Sequence, residues 1–108
     1  MDNMRYDYIE KTIREVAIQI DANKAILFGS FANRTNTSKS DLDVVFIKNT
    51  DQRFLDRMDL PMKLLSEKIS PMALDVLVYT AKEYNKMIDD GNKFIAGIIK
   101  NGKIIYES

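Results

Sequence analysis

Three aspartates occupy positions where a carboxylate could do chemistry. Asp41 and Asp43 flank Leu42 at the start of one apolar run, and Asp75 lies inside another. Strand side chains alternate, so the first two carboxylates share one side, where their charges repel unless a cation intervenes. A buried, unpaired Asp75 would be costly and needs a partner. If the two runs are neighbouring strands, the three carboxylates converge on a site for one or two divalent cations.

Each acidic residue also has a plain structural interpretation. The Asp-x-Asp pair can be a solvated strand end, or Ser38 and Asp41 can form a capping pair. Asp75 can be neutralised by a basic side chain such as Lys24 or Lys68. The residues themselves leave these alternatives open.

A glycine–serine pair supplies a second kind of chemistry. Gly29 and Ser30 directly follow the apolar run 24–28. If Ser30 opens a short helix, the free backbone amides and the missing glycine side chain form a cradle for an anion, of which phosphate is the obvious candidate. The alternative is a simple turn. Combined with two metal ions held about 3.5–4 Å apart, the cradle would suit in-line displacement on a triphosphate.

The composition limits the available chemistry. The 108 residues include no cysteine and no histidine, which excludes disulfide frameworks, thiolate nucleophiles, Cys/His zinc sites and Ser-His-Asp triads. Oxygen ligands favour magnesium or manganese. With 16 basic and 16 acidic residues the net charge is zero, which argues against dedicated nucleic-acid binding and suits a chain in a homo- or hetero-oligomer.

No apolar signal core opens the chain, and no apolar run is long enough to cross a membrane. We therefore expect a single cytoplasmic domain over residues 1–108, without a membrane segment.

Hydrophobic periodicity predicts the elements that must position the acidic residues. Helical spacing predicts an opening helix that ends near Asp21. Strands are predicted over 24–28, 42–47 and 72–79, helices over about 60–69, from a Thr80–Glu83 capping box to about 91 and over 93–100, an edge strand over 103–106 and a loop over 33–40. The third strand is apolar enough to be covered on both faces, and Met58, Met62 and Leu65 are assigned to the core. This order predicts an α/β (α+β) domain with a small mixed sheet flanked by helices.

These residues together resemble the polymerase-beta-like nucleotidyltransferase superfamily. The motif is Gly-Ser, ten intervening residues, Asp-x-Asp, and a third aspartate in a later strand. The stretch ILFGSFANRTNTSKSDLDVVFI resembles the minimal nucleotidyltransferase (MNT) branch, and ALDVLVY resembles the strand that carries the third carboxylate. The similarity extends over nearly the whole chain.

The resemblance implies a role for each motif residue. Asp41 and Asp43 would bind two Mg²⁺ ions, or Mn²⁺, and Asp75 would hold the catalytic ion and help activate the acceptor hydroxyl. Gly29 and Ser30 would contact the triphosphate of ATP.

Two loop residues relate differently to the family pattern. Many relatives have a basic residue followed by glycine where this chain has Asn33 and Arg34, so Arg34 is a candidate phosphate ligand with its charge shifted by one position. A solvated loop arginine is the alternative. Ser40 matches the serine that usually precedes the carboxylates, and we expect it to shape the loop.

The resemblance also implies an acceptor. Members of the MNT branch are commonly paired with an all-helical HEPN-type toxin and silence it by attaching AMP to a tyrosine. The neutral charge and short length suit a protein acceptor better than RNA. Two alternatives remain: an antitoxin that sequesters its partner without catalysis, and a small-molecule nucleotidyltransferase.

Overall fold

The computed structural model describes residues 3–69 and 72–108 and places helices on both faces of a four-stranded sheet. The helices are α1 (Asn3–Gln19), α2 (Gly29–Asn33), α3 (Asp59–Lys68), α4 (Ala81–Asp89) and α5 (Lys93–Asn101), with a 3-10 turn over Phe54–Met58. The strands are β1 (Lys24–Phe28), β2 (Leu42–Ile47), β3 (Leu74–Tyr79) and β4 (Lys103–Glu107). The predicted fold class is confirmed, and β1 and β2 have the predicted bounds.

The sheet has the strand order β3-β2-β1-β4. β1 pairs antiparallel with both β2 and β4, whereas β2 and β3 run parallel. The parallel pair requires a crossover, which α3 supplies. The first two strands are therefore central, and the amino-terminal ends of β2 and β3 meet at one edge of the sheet.

Alternating side chains divide the core into two apolar layers. On one face, α1 and α3 cover the sheet, and the side chains of α1 that face it are those predicted from helical spacing: Ile9, Ile13, Val16, Ala17 and Ile20. On the other face, α4 and α5 bury a smaller cluster that includes Val45, Ile47, Ile95 and Ile98. Asp43 has the same parity as Val45 and Ile47, so the acidic pair belongs to the face covered by α4 and α5.

Two predictions about burial are wrong. Met62 is 39% exposed, whereas Pro61 and Leu65 are buried, so the buried stripe of α3 passes through the proline instead of the methionine. The third strand is not covered on both faces, because β3 is an edge strand and only Val76 and Val78 are fully buried along it.

The Thr80–Glu83 capping box is confirmed and joins a larger polar network. The Thr80 hydroxyl accepts a hydrogen bond from the Glu83 amide, and the Glu83 carboxylate accepts one from the Thr80 amide. The same carboxylate receives the nearly buried Arg57 guanidinium at 2.6 and 3.3 Å. This ion pair and the cap lower the pKa of Glu83. The network fixes the end of β3 against the start of α4.

None of the helices in the described part of the chain has the length and apolar character needed to span a bilayer.

Candidate active site

β2 and β3 bring Asp43 and Asp75 side by side. The two residues are register partners in the parallel ladder, so their side chains leave the same face from adjacent strands. This pairing places the two carboxyl groups next to each other at the amino-terminal ends of the strands. The folded chain therefore holds two acids at a spacing that disfavours ionisation of both.

The electrostatics of the pair agree with this geometry. Burial, followed by the negative charges of Asp75 and Asp41, raises the pKa of Asp43 from 3.8 to about 6. Each cause disfavours the charged form. A proton or a cation at this position relieves the repulsion.

Gly29 lies against Asp43. It is the first residue of α2 and has a φ of +73°, a left-handed conformation that favours glycine. A Cβ placed there would overlap Oδ2 of Asp43 and lie 3.1 Å from its Cγ. Both the positive φ and the closeness of Asp43 therefore favour glycine at position 29. The glycine turn directly adjoins the acidic pair.

Ser30 lies in the first turn of α2, so the short helix predicted after Gly29 is present. The backbone amides of its first turn have no partner inside the helix, which leaves them able to donate to an anion. The carbonyl of Ser30 accepts from the Thr35 amide at 2.9 Å and closes the end of the helix. Gly29 and Ser30 therefore begin a short helix and do not form only a turn.

Asp41 lies next to the acidic pair without joining it. It is exposed and directly precedes β2, and its charge contributes to the raised pKa of Asp43. Within residues 3–69 and 72–108, no three acidic side chains converge closely enough to form a ready-made metal site. The structure thus brings two of the three predicted carboxylates into contact and leaves Asp41 beside them.

The expectation that Asp75 is buried is wrong. Its side chain is exposed because β3 is an edge strand, although the residues on either side of it are apolar. Lys24, one of the basic partners considered for it, forms an ion pair with Glu107 at 3.0 Å instead. Because Asp75 is exposed, it does not need a basic partner to offset a cost of burial. Its neighbour across the strands is Asp43.

Arg34 ends α2 and stacks on the first helix. It adopts a left-handed conformation with φ 57° as the C-cap residue, and its guanidinium lies 4.2 Å from the centre of the Tyr6 ring. The hydroxyl of Tyr6 donates to Oδ1 of Asn36 at 2.6 Å. Farther along, the Ser40 hydroxyl accepts from the Thr37 amide at 2.8 Å, in agreement with a loop-shaping role.

Tyr6 of α1 contacts three residues of the segment before Asp41, and the sequence did not indicate this role. Besides Arg34 and Asn36, its ring meets Phe31 of α2 edge to face, with 6.5 Å between the ring centres. These contacts tie α1 to the segment that leads to the carboxylates. In the sequence Tyr6 is visible only as one more apolar position of a helix, because its partners lie 25 to 30 residues away.

A cleft of about 780 Å³ opens beside this segment. Its lining includes Arg5, Phe31, Lys39, Ser40 and Ala73. Ser40 and Ala73 immediately precede Asp41 and β3, so the rim of the cleft reaches the amino-terminal ends of both acidic strands. Its lining does not include Asp41, Asp43 or Asp75, and Phe31 belongs to the core layer beneath α1, so the cleft opens on the side of the sheet opposite the Asp43–Asp75 face.

The fold and the site together define a nucleotidyltransferase domain of the polymerase beta type. The sequence profile of the family described as "Polymerase beta, Nucleotidyltransferase" matches residues 10–108. The chain belongs to this family. The resemblance is confirmed, and the enzyme class is confirmed at the level of the family.

Two sequence relatives from Methanocaldococcus jannaschii are each named "Putative protein adenylyltransferase". One is 31% identical over 88 residues, which cover 81% of this chain and 60% of that relative. The other is 27% identical over 103 residues, which cover 90% of this chain and 97% of that relative. The chain thus spans less than two thirds of the first relative and nearly the whole of the second.

Two crystal structures share the fold. A structure described as "a putative nucleotidyltransferase from Sulfolobus solfataricus" superposes with a TM-score of 0.60 at 16% identity, covering 94% of this chain and 83% of that one. A structure described as a toxin-antitoxin with AMP-PNP superposes with a TM-score of 0.66 at 18% identity, covering 92% of this chain and 73% of that one. At these identities the likeness concerns the fold alone.

Proposed function

We propose that this chain is a single-domain protein adenylyltransferase that transfers AMP from ATP to a tyrosine of a HEPN-type helical partner and so acts as its antitoxin. The observation that carries the proposal is the contact of Gly29 and Asp75 with Asp43 at one edge of the sheet. An anion cradle and a charge-repelling pair of acids in contact are what a metal-dependent phosphate chemistry requires.

The donor set fits hard divalent cations. Asp43 and Asp75 offer carboxylate oxygens on one face, and burial together with the charges of Asp75 and Asp41 raises the pKa of Asp43. Asp41, adjacent to them, can complete the set by reorienting its exposed side chain. We assign the binding of two Mg²⁺ ions, or Mn²⁺, to these three residues. When bound, the ions supply neutralisation of the triphosphate charge.

The remaining chemistry belongs to residues of the chain. The amides at Gly29 and Ser30 donate to the outer phosphates and orient the triphosphate. The acceptor oxygen forms a bond to the α-phosphorus while the bond to the β-phosphate oxygen breaks, and pyrophosphate leaves with the electron pair. The hydroxyl proton passes to a carboxylate oxygen of Asp75. Arg34 is a further candidate phosphate ligand, held in place by its stacking on Tyr6.

Three observations support a protein acceptor. Both sequence relatives are named "Putative protein adenylyltransferase", and one similar fold comes from a toxin-antitoxin structure with AMP-PNP. The net charge of zero does not favour RNA as acceptor.

Labelled ATP tests the proposed reaction. The protein and its helical partner are incubated with Mg²⁺ and ATP labelled at either the α- or the γ-phosphate. We expect label on the partner only from the α position, lost in Asp43→Asn and on removal of Mg²⁺ by EDTA, and retained in Asp51→Asn, which removes an exposed charge from another loop. Label from the γ position, or transfer by Asp43→Asn at the rate of the unaltered chain, contradicts the proposal. Neutralisation of the partner by Asp43→Asn at normal expression would support sequestration without catalysis.

A further inference from the structure

An aromatic pair lies next to the acidic residues. Phe28 is the last residue of β1 and the register partner of Asp43. Its ring meets the ring of Phe94 edge to face, with 5.7 Å between the ring centres and 86° between the planes. Phe94 thus contacts Phe28, the residue that directly precedes the Gly29 turn.

Phe94 is open to solvent but rigidly supported. Its side chain is 45% exposed, whereas Ile95 and Ile98 of the same helix are buried. α5 packs against α2 and β1, and the side chain of Asn92 caps its first turn by accepting from the Ile95 amide at 3.0 Å. The ring is therefore held in place by the helix that carries it while nearly half of its surface remains uncovered.

We propose that Phe94 is the platform on which the base of the nucleoside triphosphate stacks, supported by its edge-to-face contact with Phe28. The inference rests on the proposed function and adds a base-binding residue to it. A triphosphate held at the Gly29 turn and Asp43 directs its nucleoside away from the turn, and the open ring lies on the same face of the sheet. Stacking on a flat π surface needs no hydrogen-bond code, and it favours the larger purines over pyrimidines.

The chain contains no tryptophan, so Phe94→Trp introduces a single reporter at the proposed platform. The variant is titrated with ATP, CTP and inorganic tripolyphosphate in the presence of Mg²⁺. We expect saturable quenching by ATP at lower concentrations than by CTP, and none by tripolyphosphate although it competes with ATP. Equal quenching by tripolyphosphate would report only the phosphates, and it would overturn the proposal.

Truncation variants provide the second readout. Phe94→Ala should raise the Kd for ATP about ten-fold in calorimetry, because one stacking contact is lost, while leaving the Kd for tripolyphosphate unchanged. Phe94→Leu keeps apolar area without a flat ring and should lose nearly as much. Ile99→Ala is the matched control, since Ile99 is 52% exposed on the same helix, and it should bind ATP normally.

The outcomes separate this inference from the proposed function. If the unaltered chain binds no ATP, the proposed function itself fails. If it binds ATP and Phe94→Ala binds ATP equally well, only the platform is refuted. If Phe94→Ala instead weakens the complex with the helical partner at unchanged ATP affinity, the ring is a protein contact and the platform is likewise refuted.

Discussion

Replacing Asp43 with asparagine should stabilise the folded chain at neutral pH. The change keeps the shape of the side chain and removes a charge that burial, Asp75 and Asp41 all disfavour. A shift of the pKa from 3.8 to about 6 corresponds at most to about 3 kcal/mol. The carboxyl group is only half-buried, so water screens much of this energy, and we expect a gain of about 1 kcal/mol. For a domain of this size that raises the Tm by about 5 °C.

The pH dependence of the gain has a defined sign. The pKa of Asp43 is higher in the folded chain than in the unfolded one, so the folded chain binds the proton more tightly. The unaltered chain therefore has this stabilisation in full below about pH 4 and loses it as the pH rises through about 6. The advantage of Asp43→Asn should be complete above that pH and vanish towards pH 4.

Urea unfolding followed by circular dichroism from pH 4 to pH 8, with EDTA present to remove cations, measures this difference. Asp51→Asn is the control, because it removes an exposed carboxylate that lies outside the site. Its free energy of unfolding should follow that of the unaltered chain across the range. An Asp43→Asn variant that is less stable at pH 8, or whose difference does not change with pH, would refute the electrostatic account.

Five further substitutions test three features of the structure. Gly29→Ala and Gly91→Ala both place a Cβ at φ near +70°, but only the Cβ at position 29 would overlap Asp43. In urea unfolding we expect Gly91→Ala to lower the free energy of unfolding by about 1 kcal/mol and Gly29→Ala to lower it clearly more. In calorimetry only Gly29→Ala should weaken ATP binding. Thr80→Ala removes the cap of α4 and should cost about 1 kcal/mol, and an unchanged urea midpoint would exclude the cap. Leu65→Ala should cost about 2–5 kcal/mol because Leu65 is fully buried, whereas Met62→Ala should cost little; similar costs by urea unfolding would contradict the assigned core face of α3.

The local elements were predictable where the sequence marks both of their ends. β1 and β2 have the predicted bounds because Gly29-Ser30 closes one apolar run and a polar loop opens the other. β3 begins at Leu74, two residues later than predicted, and Ser70 and Pro71 before it lie outside the described residues. Breakers thus define strand ends better than apolar character does.

The errors arise where burial depends on neighbours in space. Asp75 has apolar neighbours in sequence, which predicts burial, but β3 lies at the edge of the sheet and leaves it exposed. In α3 the core face passes through Pro61 in the first turn of the helix, and Met62 is turned outwards. Neither strand order nor the rotation of a short helix is encoded in local spacing.

The site was predictable in part for the same reason. The motif spacing predicted Gly29, Asp43 and Asp75 as candidate site residues, and the parallel register of β2 and β3 brings the two acids together; their functional role stays a prediction. Tyr6 and Phe94 gave no signal, since their contacts with the site join segments that are distant in sequence. Residues of this kind can be identified only from the tertiary structure.

Intact mass spectrometry of the helical partner tests the central claim most directly. The partner is incubated with the chain, ATP and Mg²⁺, and its mass is compared with that of a parallel sample containing Asp43→Asn. We predict a gain of one or more AMP units on the partner with the unaltered chain, located to a tyrosine, and no gain with the variant. An unmodified partner in a stable complex with the unaltered chain would contradict adenylyl transfer.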